Sequence, residues 1–224
     1  MNTKFFLTTI GKKILVAITG LYLIVFLIIH LLGNLEIFSG PEAINRYGAM
    51  LREFPKILWL LRITLILSVL VHIYLTISLT MENRQKRPEK YFIHRNKQAT
   101  FASRTMMITG LTVLFFVLYH LAHYTFGLVD ESLIKLHDHQ GRHNVYNMMI
   151  FGFRNPLVSG FYILAQGMLA FHLSHGISSA ARTFGANKKI FQNVNRWGKI
   201  FAYAIALLYI SIPLAVLFGF LTPI

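Results

Sequence analysis

Five long apolar runs, at residues 14–32, 57–79, 105–124, 157–181 and 200–221, leave this 224-residue chain little choice of solvent. A helix needs roughly 20 predominantly apolar residues to cross ~30 Å of hydrocarbon at ~1.5 Å per residue. All five runs are long enough. Within lipid a helix satisfies its backbone N–H and C=O groups inside one segment, so each run is expected to span as a helix. The expected fold class is all-α, an integral membrane bundle of five transmembrane helices forming one domain over residues 1–224. Only 13% of the chain is charged, against about 25% in an ordinary soluble domain.

The net charge of +14 would suit nucleic acid if it were evenly spread, but it is not. Lys4, Lys12 and Lys13 precede the first run. Arg84, Lys86, Arg87, Lys90, Arg95, Lys97 and Arg104 lie between the second and third, and Arg182, Lys188, Lys189, Arg196 and Lys199 between the fourth and fifth. These are 15 of the 22 basic residues, all on one side. The positive-inside rule makes that side cytoplasmic, with the N-terminus inside and the C-terminus outside. Glu36, Glu42, Glu53, Asp130, Glu131 and Asp138 fall outside, and only Glu82 and Glu89 inside. A basic inner face suits anionic lipid or an acidic protein surface; no nucleic-acid partner is expected.

There is no cysteine, so this chain can neither ligate an iron–sulfur cluster nor attach a c-type haem. The first run is too long for a cleaved leader and no A-x-A-like site follows it. No repeat of 20–50 residues, Gly-rich phosphate loop or dinucleotide fingerprint is present. The longest connections are expected at residues 80–104 on the inner side and at 33–56 and 125–156 on the outer. Within the first outer connection, GPEAINRYGAMLREFP reads as a short interfacial helix. Pro41 suits its first turn, Ala43, Ile44, Tyr47 and Leu51 recur at helical spacing, and Pro55 ends it.

Six of the ten histidines, His30, His72, His120, His123, His172 and His175, lie inside the runs. Ionisable groups in a bilayer are costly and usually functional. No carboxylate lies in any run to pair with them, and Arg62 is the one permanently charged side chain there. A neutral imidazole is a good ligand for haem iron, with its second nitrogen free for an orienting hydrogen bond. The depths fall into two sets. His30 and His120 lie two and four residues before the outer ends of runs one and three, whereas His72 and His172 lie seven and nine before the inner ends of runs two and four. Two bis-histidine haems stacked across the membrane need that arrangement.

The plainer alternative is six hydrogen-bonded core histidines, and four on four runs at matched depth make it the weaker one. For His123 and His175, each three residues beyond a proposed ligand on the same helix face, the plainer view is preferred: neighbours of the ligands, or quinone-facing side chains. Depth alone leaves His120 and His123 interchangeable. A bare transition metal on an HxxH pair lacks nearby carboxylates. Two other functions compete: a standalone transmembrane haem b reductase that binds its donor directly, and a haem-free transporter with a histidine proton relay, which would more naturally carry intramembrane carboxylates or broken helices.

The stretches IGKKILVAITGLYLIVFLIIHLLGNLEIFSGPEAINRYGAMLR, LVHIYLTISL, LFFVLYHLAHY and FHLSHGISSAARTFG resemble the cytochrome b558-type, two-haem single-subunit membrane anchor of succinate dehydrogenase and fumarate reductase. The similarity extends over essentially the whole chain. It implies His72 and His172 as ligands of the proximal, inner haem and His30 and His120 as ligands of the distal, outer one, which settles the choice within the HxxH pair. It implies two non-covalent haem b groups, a membrane quinone (menaquinone) as substrate, and flavoprotein and iron–sulfur subunits on the cytoplasmic face of a bacterial inner membrane. The chain would then work as a subunit of a succinate:quinone oxidoreductase, with no dicarboxylate site of its own. Electrons would pass between the iron–sulfur partner and quinone by way of the two haems. The quinone is expected near the outer haem, with Asn34, Asn45, Arg46, Tyr47 and Arg62 as polar candidates.

Overall fold

The computed structural model describes residues 8–85 and 104–224. Lys4, Lys86, Arg87, Glu89, Lys90, Arg95 and Lys97, with most of the expected inner connection, lie outside the described residues. The described residues form helices and no strands, apart from an isolated bridge between His137 and His143. The order is α1 (Thr9–Leu35), a 3-10 turn (Glu36–Ser39), α2 (Pro41–Glu53), α3 (Pro55–Gln85), α4 (Met106–His120) with a π-turn (Leu121–Thr125), α5 (Glu131–Ile134), α6 (Val145–Phe153), α7 (Pro156–Thr183) and α8 (Lys188–Leu217). Helices α1, α3, α4 with its π-turn, α7 and α8 are long and apolar enough to cross a membrane. The chain is therefore an all-α, multi-pass membrane protein.

Local chemistry starts and stops these helices. Thr8 caps α1 by accepting from the Gly11 N–H, Asn155 caps α7 ahead of Pro156, and Asn187 caps α8 through Ile190 N–H; such side chains satisfy orphan donors of the first turn. α7 ends at Thr183, and Gly185 just beyond it has a φ of +78°, the left-handed conformation that closes helices. The connection to α8 is consequently only residues 184–187. The fifth run was expected at 200–221, but its helix begins at Lys188 and ends at Leu217. The basic segment expected as an inner loop is its first three turns. Ser178 donates to Asn195 Oδ1 at 2.8 Å, and the Arg182 guanidinium lies over the Phe191 ring, so these turns pack against α7.

Neighbouring spans run antiparallel, α1 with α3, α4 with α7, and α7 with α8. Close approach of α7 and α8 relies on small residues: Gly198 lies under Ile177, and Ala202 is fully buried. Lipid tails are as apolar as side chains, so packing fit rather than water exclusion joins membrane helices. Large apolar side chains such as Ile63, Leu67, Leu70 and Phe115 accordingly face outward.

The densest core lies at one end. α6, too short to span, is buried along nearly its whole length and packs with Ile37, Ile44, Leu133, Tyr162, Ile212 and Val216. The 125–156 connection is thus a folded cap rather than a loop. Asn45 of α2 locks it. This residue is 2% exposed, accepts from the Tyr146 N–H at 3.0 Å and donates to Asn144 Oδ1 at 3.3 Å. Outside it, Arg142 bridges the carboxylates of Glu42 and Asp138. The end carrying this cap is the one expected to face outward.

Candidate functional site

The histidines lie at two levels. Toward the capped end, His30 near the end of α1 faces His120 at the end of α4. Their ring centroids are 5.8 Å apart, with planes 84° to one another. Phe26, one turn earlier on α1, stacks on His30, and Tyr209 of α8 lies 6.3 Å from it. Two imidazoles on opposite sides of one metal ion, each at a metal–nitrogen distance of about 2 Å, have ring centres about 6 Å apart. The His30–His120 separation suits such a shared ion.

His123 is brought close too, but in another role. The helix loosens into a π-turn directly after His120, a local widening common at functional sites. As a result the Nδ1 atoms of His120 and His123 lie 3.3 and 3.2 Å from one hydroxyl, that of Tyr162 on α7. One hydroxyl donates once and accepts from the other side. If Nε2 of His120 binds a metal, its Nδ1–H donates to the Tyr162 oxygen, and the Tyr162 hydrogen goes to His123 Nδ1. His123 is 2% exposed, and its ring lies 4.1 Å from that of Tyr124, tilted by 30°. Phe116, Tyr119, Phe153 and Phe161 pack around Tyr162. Among the described residues the Tyr124 hydroxyl and Gln166 Oε1 are buried without a partner.

At the deeper level the rings belong to α3 and α7. His72 Nδ1 lies 3.1 Å from Thr19 Oγ1 of α1, and His172 Nδ1 lies 3.4 Å from Thr109 Oγ1 of α4. The following residue is glycine both times. A Cβ on Gly20 would meet His72 Cε1 at 3.3 Å, and one on Gly110 would meet His172 Cε1 at 3.2 Å. His175, one turn further from the cap than His172, is half-buried. Nearer the end opposite the cap, Lys12 pairs with Glu82 and donates to Ser78 at 2.9 Å, tying α1 to α3.

The polar candidates for a quinone contact divide. Asn34 donates to the His30 carbonyl at 2.6 Å, and the Tyr47 ring covers Gly33, one turn beyond His30, so both belong to the level nearer the cap. Asn45 is consumed by the cap. Arg46 is exposed on α2, and Arg62 is exposed with its guanidinium 5.3 Å from the Trp59 ring. Tyr162, Thr19 and Thr109 were not anticipated as site residues.

Among the described residues no group of three or more His, Cys, Asp or Glu side chains gathers to hold a bare metal ion. A porphyrin supplies four nitrogens of its own, so pairs of imidazoles are the appropriate donor set for haem iron. The His30–His120 pair fits one such group by its separation, and His72 and His172 offer a second pair of imidazoles. Compared with protein-family models, curated proteins and solved structures, the chain matches none.

Proposed function

We propose that this chain is the two-haem cytochrome b anchor of a succinate:quinone oxidoreductase, exchanging electrons between a cytoplasmic iron–sulfur subunit and a membrane quinone. The observation that carries it is the histidine arrangement, one pair of imidazole-bearing helices at each of two depths. His72 and His172 would hold the inner haem and His30 and His120 the outer one. Bound haem iron supplies one-electron exchange between its ferric and ferrous states. The chain's own contribution is to fix the imidazoles, keep water out of the apolar interior and offer a quinone a place at the outer level. Asn34 and Tyr47 stand beside His30 there. The resemblance to the b558-type anchors supports the partners, menaquinone and the bacterial inner membrane. The basic bias of the inner segments supports an N-terminus in the cytoplasm and docking of the flavoprotein and iron–sulfur subunits on that side.

Pyridine haemochrome analysis of the purified chain should give about two non-covalent haems. The flavoprotein and iron–sulfur subunits should copurify after mild solubilisation. One haem per chain would sink the two-level reading, and none would turn attention to a haem-free transporter. Two haems without any partner would favour a standalone reductase.

A further inference from the structure

The two threonine–glycine pairs that touch the histidines of the deeper level sit in matching stretches of sequence. Ile18-Thr19-Gly20-Leu21 and Ile108-Thr109-Gly110-Leu111 are identical, and each threonine precedes an outer-level histidine, His30 or His120, by eleven residues. Helices α3 and α7 correspond as well, since Ile77-Ser78 and Ile177-Ser178 follow His72 and His172 at the same interval. Eleven residues make just over three turns, or about 16 Å of rise. One face of α1 therefore carries His30 and, three turns deeper, Thr19, and one face of α4 carries His120 and Thr109.

The hydrogen bonds restrict what the threonines can do. Thr19 Oγ1 lies 2.8 Å from the Leu15 carbonyl and 3.1 Å from that of Val16, and Thr109 Oγ1 lies 3.1 Å from that of Met106. A carbonyl only accepts, so the single hydroxyl hydrogen of each threonine is donated within its own helix. Toward the histidine the oxygen can then only accept, and the hydrogen of that bond must sit on Nδ1. The neutral imidazole consequently keeps its lone pair on Nε2. The glycine beside each threonine lets the Cε1 edge of the ring come against the helix, at a distance that an added methyl would crowd.

Resting on the two-haem reading, we propose that Thr19-Gly20 and Thr109-Gly110 form a duplicated cradle that positions the inner ligands. Each threonine oxygen accepts the Nδ1–H of His72 or His172, which fixes the ring and presents Nε2 to iron. Thr19 and Thr109 are positioning residues, acting through the imidazoles. An acceptor on Nδ1–H makes the imidazole a stronger electron donor and favours ferric iron. Removing it should raise the potential of the inner haem.

The test is an optical redox titration of the intact complex, with electron paramagnetic resonance of the two ferric haems, in wild type, Thr19→Val, Thr109→Val and the corresponding serine variants. Both haems should stay bound. Each valine variant should raise the potential of the same haem, by a roughly ten-fold change in its ferric–ferrous equilibrium, about 59 mV for one electron. Serine, which keeps the oxygen, should restore the wild-type value. Unmoved potentials, movement of different haems in the two valine variants, or serine behaving as valine would each overturn the cradle while leaving two haems in place. Should a valine variant fail to assemble, alanine against serine at the same position decides: a raised potential in alanine alone supports the cradle, and equal potentials overturn it. Wild type without haem would overturn the functional reading itself, and the cradle with it.

Discussion

The two levels of the bundle solve one problem, holding a pair of imidazoles, by different means. At the inner level both rings meet the same device, a threonine oxygen and a glycine on the adjacent helix, used twice. At the outer level the two rings are treated unequally. His120 shares the Tyr162 hydroxyl with His123, whereas His30 is held through stacking on Phe26 and its own position on α1. The outer level also lies beneath a folded cap of α2, α5 and α6, while the inner ends of α1 and α3 are joined by the Lys12–Glu82 pair. Two helix pairs with matching stretches of sequence place histidines at both depths. Equivalent surroundings survive only where nothing asymmetric has been added, and the cap and the π-turn both lie at the outer end.

The strongest way to break this comparison is to remove ligands one at a time. His72→Ala and His172→Ala should each abolish one and the same haem, and His30→Ala and His120→Ala the other, because a methyl group cannot replace an axial nitrogen. His123→Ala and His175→Ala should retain both. Haem content with resolved optical bands is the measurement. Loss in His123→Ala with none in His120→Ala would reverse the choice made across the Tyr162 hydroxyl.

A smaller effect sharpens the asymmetry. Tyr162→Phe removes the hydroxyl shared by His120 and His123 while keeping the ring within its aromatic cluster. The outer haem should stay bound, and its potential should rise by less than a ten-fold change in equilibrium, with the inner haem unmoved. A shift in both haems would show that the levels are not independent.

The smallest effect concerns the cap. The Arg142 side-chain hydrogen bond holds the Glu42 carboxyl below its ordinary value. For Asp138 burial pushes upward, but hydrogen bonds from the Arg142 side chain and from the Arg142 and Gln140 N–H groups outweigh it, and the net direction is down. Groups depressed in the folded state stabilise it above their unfolded values, here 4.5 and 3.8, and that contribution disappears as pH falls through the folded ones. Hydrogen exchange in α6, corrected for intrinsic rate, should therefore rise in Arg142→Ala at neutral pH. Wild type should approach the variant only below the ordinary carboxylate range. Exchange at the inner ends of α1 and α3 should be alike in both proteins. Equal protection of α6 at pH 7 would mean that Asn45 and the apolar contacts hold the cap alone.

Much of this architecture was legible in the residues. Hydropathy located five spanning helices, since lipid forces each long apolar run to satisfy its own backbone. Pro41 and the spacing of Ala43, Ile44, Tyr47 and Leu51 announced α2. The start of α8 was missed because hydropathy registers the apolar part of a helix, and the turns from Lys188 to Lys199 are basic. The apolar nine residues of α6 were too short to read as a span, and nothing local says that such a run folds back as a cap. The recurring Ile-Thr-Gly-Leu was visible too, but with its copies 90 residues apart nothing local says that both meet a histidine.

By itself the sequence determined which helices are long and apolar enough to cross the membrane, at what depths their histidines lie, and that no cysteine thiolate is at hand to bind a metal. These are properties of single segments: length, hydropathy, count from a helix end. The tertiary structure alone decided which residues meet. It committed Asn45 to a helix about a hundred positions away, joined His120 and His123 through one tyrosine, and laid His72 and His172 on threonines of neighbouring helices. The reason is physical. A hydrogen bond reaches ~3 Å and requires a particular orientation, so it depends on how two helices are rotated and staggered against each other, and neither quantity is written in the periodicity of either helix.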